Sequence, residues 1–414
     1  MDDYRGVLGI VVLCAIAWAV GEDRRAVPWR TVGVAIALQG AVALALLRLP
    51  GFREAFAVLD RLVGALRAAT AAGTAFVFGY VGGGPAPFAV TEPGAGFVLA
   101  FQALPLVVVV GAVSAILHHW RVLPAVVGAF AWALRRTLGI GGAVGMSTAA
   151  NIFLGMVEAP LLVRPYLATM SRSELFIVMT GGMASIAGTV MVVYAAFLEG
   201  VVPDPIGHLL TASVMSAPAA IAVSLIMVPG RARTAAAPDG DPPRPYASTM
   251  DALTRGTADG LALLLNIAAL LLVLVALVHL VNAGLALVPA GGGGPVTLQS
   301  ILGWLLAPLA WVLGVPWAEA GTAGALLGTK VVLNEFLAYV ELRDLPAGAL
   351  SAQSRLILTY ALCGFANFAS LGIMLGGLGA MVPERRQEII ALGPRSILSG
   401  MLASCMTGAV VGLL

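Results

Sequence analysis

Residues 151–162 read NIFLGMVEAPLL, an apolar stretch with a single carboxylate, Glu158, and a proline, Pro160, two positions later. A second stretch, TKVVLNEFLAY at residues 329–339, sets Glu335 in similarly apolar company. Where these two acids lie decides the fold, because their surroundings are those of a bilayer. Of 414 residues, 60% are hydrophobic and 11% charged, against roughly a quarter charged in a soluble domain. Apolar runs such as Val7–Val20, Val32–Leu47 and Leu261–Val281, with a mean hydropathy of +0.97, supply many of the ~20-residue spans that cross a membrane. The expected class is an all-α polytopic membrane protein.

Composition excludes several functions. A net charge of +2 with no basic patch argues against nucleic acid as a partner. Cys14, Cys363 and Cys405 stand singly in apolar runs, without the spacing of a zinc site or a disulfide framework. His118 and His119 close a span beside Trp120 and Arg121, as interfacial anchors do. The run GALLGTK has the wrong order for a phosphate loop, GIGGAVG misses the dinucleotide fingerprint, and neither HExxH nor GxSxG occurs. No catalytic residues are assigned. In the first segment two aspartates precede the apolar run and Arg24, Arg25 and Arg30 follow it, so it reads as a retained span with an outside N-terminus.

From that start the positive-inside rule orients the rest. Gly96–Leu117 ends at HHWR inside, and Arg135 and Arg136 stay inside; Phe176–Leu198 emerges at the acidic LEGVVPDP outside. Leu209–Val228 returns to a Pro- and Arg-rich cytoplasmic linker, PGRARTAAAPDGDPPRPYAS, and Leu261–Val281 leads outward to PAGGGGP and to Leu298–Leu313, broken at Pro308. Leu356–Leu378 ends at PERR inside, and Ser399–Leu414 goes out again. Two segments do not fit as crossings. Thr137–Ser171 has both ends inside and Val315–Arg343 has both ends outside, and each is too long for one span and too short for two. Each is expected to be a re-entrant hairpin, and the two enter from opposite faces.

The chain thus reads as inverted repeats with two opposed re-entrant helical hairpins, an architecture suited to alternating access. Its expected parts are an N-terminal pair of transmembrane helices (1–50), a scaffold helix with interfacial helices (51–138), a first repeat hairpin with its helices (139–228), the linker (229–248), a second scaffold helix with an interfacial helix (249–315), and a second repeat hairpin with its helices (316–414). Glu158 and Glu335 fall near the hairpin centres, where a carboxylate costs about 2.5–3.5 kcal/mol and so marks a functional site. A solvated loop for Glu158, or an ion pair of Glu335 with Lys330, the only lysine, would explain them structurally. Asn151, Ser185, Asn334, Asn367 and Ser370 occupy equally apolar settings and can donate and accept, which suits a polyhydroxy solute. The runs MTGGMASIAGTVM and YALCGFANFASLGIMLGG permit unwound backbone or close helix packing.

From about Phe76 onward these motifs resemble the concentrative nucleoside transporter family, the bacterial NupC-like nucleoside symporters: FVFGY, GMVEAPLLVRPYL, GGMASIAGTVMVVYA, TKVVLNEFLAY, and YALCGFANFASLGIMLGG followed by PERR. The resemblance implies a homotrimer in a bacterial cytoplasmic membrane, a transport domain moving against a scaffold, and nucleoside uptake driven by sodium, with protons as the alternative. It implies no organic cofactor. It implies that Glu335, Asn367 and Ser370 bond the ribose with Phe365 nearby, that Met156, Val157, Glu158 and Val190 surround the base, and that Asn151 and Ser185 hold sodium with the carbonyls of Leu154 and Ile186. Where sodium-coupled members usually have Gly-Gln-Thr-Glu, this chain has Gly155-Met156-Val157-Glu158, which removes two hydrogen-bonding groups from the base and predicts atypical base selectivity. An intramembrane enzyme using Glu158 and Glu335 as acid and base, and a channel, are the rival classes.

Overall fold

The computed structural model describes residues 5–89, 96–230, 245–287 and 296–414. Most of the cytoplasmic linker and of PAGGGGP lies outside the described residues. Among those described, the secondary structure is helical, without strands. The first half runs α1 (Arg5–Ala19), α2 (Trp29–Arg48), α3 (Pro50–Phe78), α4 (Leu99–Gln102), α5 (Leu106–His119), α6 (Val122–Leu138), α7 (Gly142–Ala150), α8 (Glu158–Leu161), α9 (Arg164–Leu167), α10 (Arg172–Ala184), α11 (Gly188–Leu198) and α12 (Pro205–Met227). The second runs α13 (Thr249–Leu285), α14 (Leu298–Val312), α15 (Trp317–Val332), α16 (Glu335–Asp344), α17 (Ala352–Leu362), α18 (Phe368–Met381) and α19 (Arg386–Val411). Seven stretches among the described residues are long and apolar enough to cross a bilayer.

The contacts between chain ends sort them into two faces. At the face expected to be cytoplasmic, Glu22 before α2 pairs with Arg172 at the start of α10 and with Arg395 of α19, while Arg172 also meets Glu388. Trp120 after α5 donates to Thr249 at the start of α13, 3.2 Å away. At the other face, Arg48 at the end of α2 reaches the carbonyl of Leu414, and Arg67 of α3 pairs with Glu199 of the acidic loop. None of these contacts joins an end expected inside to one expected outside, so the packing groups the helix ends as the charge rule groups them.

The 29-residue α3 is long enough to span, yet its neighbours α2 and α5 both present their outer ends to it. Its Arg67–Glu199 pair ties it to the outer loop, and Glu54, Asp60, Arg61 and Arg67 are poorly suited to the hydrocarbon centre. These features place α3 along the outer surface.

Both hairpins are present. α14 and α15 meet at 116°, so α14 lies across the entrance of α15, which dips inward and returns as α16. The first hairpin is less regular: α7 goes in, residues 151–157 turn, and the return is two short pieces, α8 and α9, instead of one half-helix. Pro165 is the second residue of α9, and a proline there has no N–H to carry the helix on from α8. Behind each hairpin stands a broken helix, α10/α11 and α17/α18, followed by an intact one, α12 and α19. The chain is an inverted-repeat membrane protein with two opposed re-entrant hairpins, a transport core and a scaffold.

The scaffold pair α5 and α13 packs backbone to backbone. A Cβ on Gly256 would meet Ala115 Cβ at 2.6 Å, and one on Gly260 would meet Val108 Cα at 2.7 Å. Lipid gives helices no hydrophobic reason to associate, so small residues that permit such close van der Waals contact hold the pair together.

Candidate functional site

The two broken helices cross at their breaks. α10 ends at Ala184 and α11 begins at Gly188; α17 ends at Leu362 and α18 begins at Phe368. Gly364 lies so close to α10 that a Cβ would stand 2.9 Å from both Met183 O and Ala184 O. The Phe365 N–H donates to Ser185 O at 3.3 Å. Glycine at 364 is therefore required for the two unwound segments to touch, and the polar backbone they free stays buried in protein, the condition under which such segments persist at membrane depth.

The second hairpin builds its half of the site through helix caps. Asn334 caps α16, its Oδ1 accepting from Leu337 N at 2.8 Å, and Asn367 caps α18, its Oδ1 accepting from Ser370 N at 2.7 Å. Since the cap consumes the oxygen of Asn367, its Nδ2 is left to donate to Glu335 Oε2, 2.8 Å away. Tyr194 of α11 donates its hydroxyl to Glu335 Oε1 at 2.6 Å. Glu335 is only 4% exposed, yet each oxygen is bonded once and keeps a lone pair for a further donor. Lys330 is fully buried but gives its ammonium to Ala361 O at 2.7 Å and Ser404 Oγ at 2.6 Å. The direct Glu335–Lys330 ion pair considered from sequence does not form.

The first hairpin is arranged otherwise. Asn151 Nδ2 donates to Ser147 O at 3.1 Å, while its Oδ1 is buried without a partner, as are Ser147 Oγ and Thr148 Oγ1. Ser185 Oγ lies 3.0 Å from Asn151 O and 2.9 Å from Gly181 O, so its proton goes to backbone and its remaining lone pair is free. Met156 is buried against Gly182 of α10, and Val157 packs on Gly377 of α18. Glu158 is exposed, folds back over Gly155, and forms no hydrogen bond or ion pair among the described residues. It opens α8 at the end of the turn, facing a cavity and not lipid.

That cavity, of about 610 Å³, unites the residues expected to hold a solute. Met156, Val157, Glu158, Val190, Glu335, Phe365, Asn367 and Ser370 all line it. Leu154 reaches its wall, whereas Asn151, Ser185 and Ile186 sit behind, next to the crossing. Its lining continues along α5 and α13 to His118, Asp259 and, just before α13, Tyr246, toward the ends expected to be cytoplasmic. Sequence reasoning missed Tyr194, a phenol in an apolar span, and Asn266, an amide in the apolar part of α13 that also lines the cavity. The signal for both was the one used for the acids: a polar group inside a span.

Opposed hairpins and broken helices meeting at one solute-sized cavity define a secondary transporter. Family profiles agree: residues 8–81 match "Na+ dependent nucleoside transporter N-terminus", 208–412 the corresponding C-terminus, and 100–200 "Nucleoside recognition". The chain is 36% identical to the nucleoside permease NupC of Helicobacter pylori, covering 98% of this chain and 96% of that one. It is 35% identical to the sodium/nucleoside cotransporter 1 of Mus musculus, covering 98% of this chain and 63% of the mouse protein. It is also similar to the solved transporter CNTnw in an inward-facing substrate-bound state (TM-score 0.88, 38% identity, covering 100% and 98%) and to a variant of it in an outward-facing state (TM-score 0.87, 36% identity, covering 100% and 98%). The chain belongs to the concentrative, Na+-dependent nucleoside transporter family. It is a transporter and not an enzyme.

Proposed function

We propose that the chain imports nucleosides across a bacterial cytoplasmic membrane by sodium symport, as a homotrimer in which each protomer carries its own cavity. The observation that carries this reading is the buried set of Glu335, Asn367 and Ser370 at the helix crossing. A carboxylate with one free lone pair on each oxygen can accept two hydroxyl protons at once, which matches the vicinal diol of a ribose. Phe365 packs beside it. The base lies against Met156, Val157, Glu158 and Val190, where only Glu158 offers strong polar contact, so the sugar is read closely and the base loosely.

Sodium, as cargo, fits the first repeat. A hard cation takes oxygen ligands, and Asn151 Oδ1 is a buried oxygen without a partner beside Ser185 Oγ, whose proton is committed elsewhere. The carbonyls of Leu154 and Ile186, in the adjoining turn and break, complete the assignment. The half-helix α10 ends there, and the negative end of its dipole favours a cation. Binding on both faces of one crossing couples the two cargoes, and movement of the core past α5 and α13 exposes them alternately.

Glu158, open to the cavity and unpartnered, favours one second reading, in which it carries a proton in place of sodium. Uptake of a nucleoside panel into proteoliposomes, with sodium or proton gradients imposed separately, tests both. Accumulation driven by sodium at constant pH is expected, with several bases competing; drive by protons alone, or strict selectivity for uridine, would refute the corresponding part.

A further inference from the structure

The two broken helices, α10 and α17, each end their first half inside this protein and leave the carbonyls of that last turn in the interior, where a helix C-terminus attracts positive charge. At the end of α10 no cationic side chain stands among the described residues; the neighbours are Thr148 and Asn151, each with an orphaned oxygen (Oγ1 and Oδ1), and the hydroxyl of Ser185. At the end of α17 the neighbour is an ammonium. Lys330 Nζ donates to Ala361 O, in the last turn of α17, and to Ser404 Oγ, whose own proton goes to Met401 O at 3.1 Å. The chemistry is parallel, since in each repeat a serine hydroxyl spends its proton on backbone and turns its oxygen to the same interior.

The placement is parallel as well. Thr148 lies two residues before the end of α7, the inbound arm of the first hairpin, and Lys330 lies two residues before the end of α15, the inbound arm of the second. Both arms run against the last turn of a broken helix: a Cβ on Gly181 of α10 would lie 3.3 Å from Asn151 Nδ2 and 3.9 Å from Thr148 Oγ1, as Lys330 lies against Ala361. Service as a counter-ion for Glu335 does not explain this geometry, because the glutamate's oxygens are held by Tyr194 and Asn367 while the ammonium turns to α17 and α19.

We propose that Lys330 is a covalently tethered cation standing in the second repeat where the first repeat takes its coupling ion, so that only one of two pseudo-symmetric cation positions is filled from solution. This rests on the sodium reading of the first repeat. It gives the transporter a single-ion cycle from an architecture with two equivalent helix ends, and keeps the second crossing arm charged and ordered in every state.

Reversal potentials of the unaltered protein in proteoliposomes decide first: a single sodium per nucleoside is expected, and two would overturn the proposal whatever the variants do. Lys330→Ala empties the position, and its sodium dependence should steepen, the Hill coefficient rising from about one toward about two, with a second sodium-dependent rise in melting temperature. Lys330→Met fills the space without charge and should lose uptake at every sodium concentration. A Lys330→Met protein with an unaltered sodium curve, or a folded Lys330→Ala protein whose Hill coefficient stays unchanged, overturns it. Absence of nucleoside uptake, or of sodium drive, in the unaltered protein would instead break the functional reading, and shows before any variant is made.

Discussion

In the second hairpin, Glu335 is 4% exposed, with Tyr194 and Asn367 each fixing one of its oxygens. In the first, Glu158 stands open to the same cavity and touches no donor among the described residues. The hairpins place their acids alike, at the start of the returning arm, but the turns before them differ. Asn334 caps α16 with its side chain, whereas Val157 before α8 has no such cap. Repeat symmetry therefore fixes where the acids go, and the residues around them decide what each can do. A held carboxylate binds without paying to order itself, whereas a free one pays that cost for each ligand. Sites built to hydrogen-bond a hydroxyl also reject analogues lacking it by about 10⁴-fold or more, while apolar walls discriminate by only about 10–200-fold. The sugar side should be strict and the base side permissive.

The sharpest way to break this comparison is to neutralise each acid in turn. Glu335→Gln keeps the shape but loses the charge on two bonds worth about 1.5–3 kcal/mol each, so uptake should fall by about 100-fold or more. Glu158→Gln, with nothing to release, should lower it by about tenfold or less. Initial rates in proteoliposomes measure both, and equal losses would mean that the hairpins are not functionally distinct. Nucleosides lacking a ribose hydroxyl sharpen the point, since Glu335→Gln should treat them almost as it treats the parent compounds.

Next in size is the phenol that holds Glu335. Tyr194→Phe removes one bond and leaves Oε1 short of a donor, at a cost of about 1–2 kcal/mol, which should raise the half-saturating nucleoside concentration about 5–30-fold. A change in maximal rate alone, with affinity intact, would count against a holding role.

On the side proposed to be permissive, Met156→Gln combined with Val157→Thr returns hydrogen-bonding groups to the wall proposed to face the base. Because Met156 and Val157 pack against Gly182 and Gly377, where volume is constrained, the gain should be modest. Competition between bases should sharpen by about three- to tenfold. An unchanged selectivity profile would show that the base is read elsewhere in the cavity.

Much of this was legible in the sequence, for a definite reason. A charge inside an apolar run is expensive, so Glu158 and Glu335 stood out as candidates, both of which line the cavity, and the Lys/Arg bias of the loops gave each crossing an expected direction. The different surroundings of the two acids were not legible, because they depend on a phenol supplied by the other repeat and on an asparagine 32 positions downstream. The partners of Lys330 were hidden in the same way: sequence proximity pointed to Glu335, whereas the ammonium turns to Ala361 and Ser404.

The hairpins also differ in how their outer ends are moored, and that difference gives the smallest effect and one that depends on pH. The first returns to a cytoplasmic cluster of ions: Arg385 donates to Leu167 O and Met170 O at 2.8 and 2.7 Å and pairs with Glu388, which meets Arg172, which in turn binds Glu22. The second is moored by Arg355, which donates to Leu350 O and Pro346 O at 3.4 and 3.3 Å. The hydrogen bond from Arg172 holds the Glu22 carboxyl below its usual value of 4.5. A depressed folded value means that the unfolded chain binds the proton first, so this stabilisation is complete above about pH 4.5 and disappears as pH falls through the lower, folded value. Glu22 is largely solvated, so Glu22→Gln should lower the melting temperature by only about 1–2 °C at pH 7. That gap should close in melts run below the folded carboxyl's own lowered value and shrink with added salt. A gap that persisted in acid would assign the stabilisation to packing of the loop before α2, and the mooring of the first hairpin would then not rest on charge at Glu22.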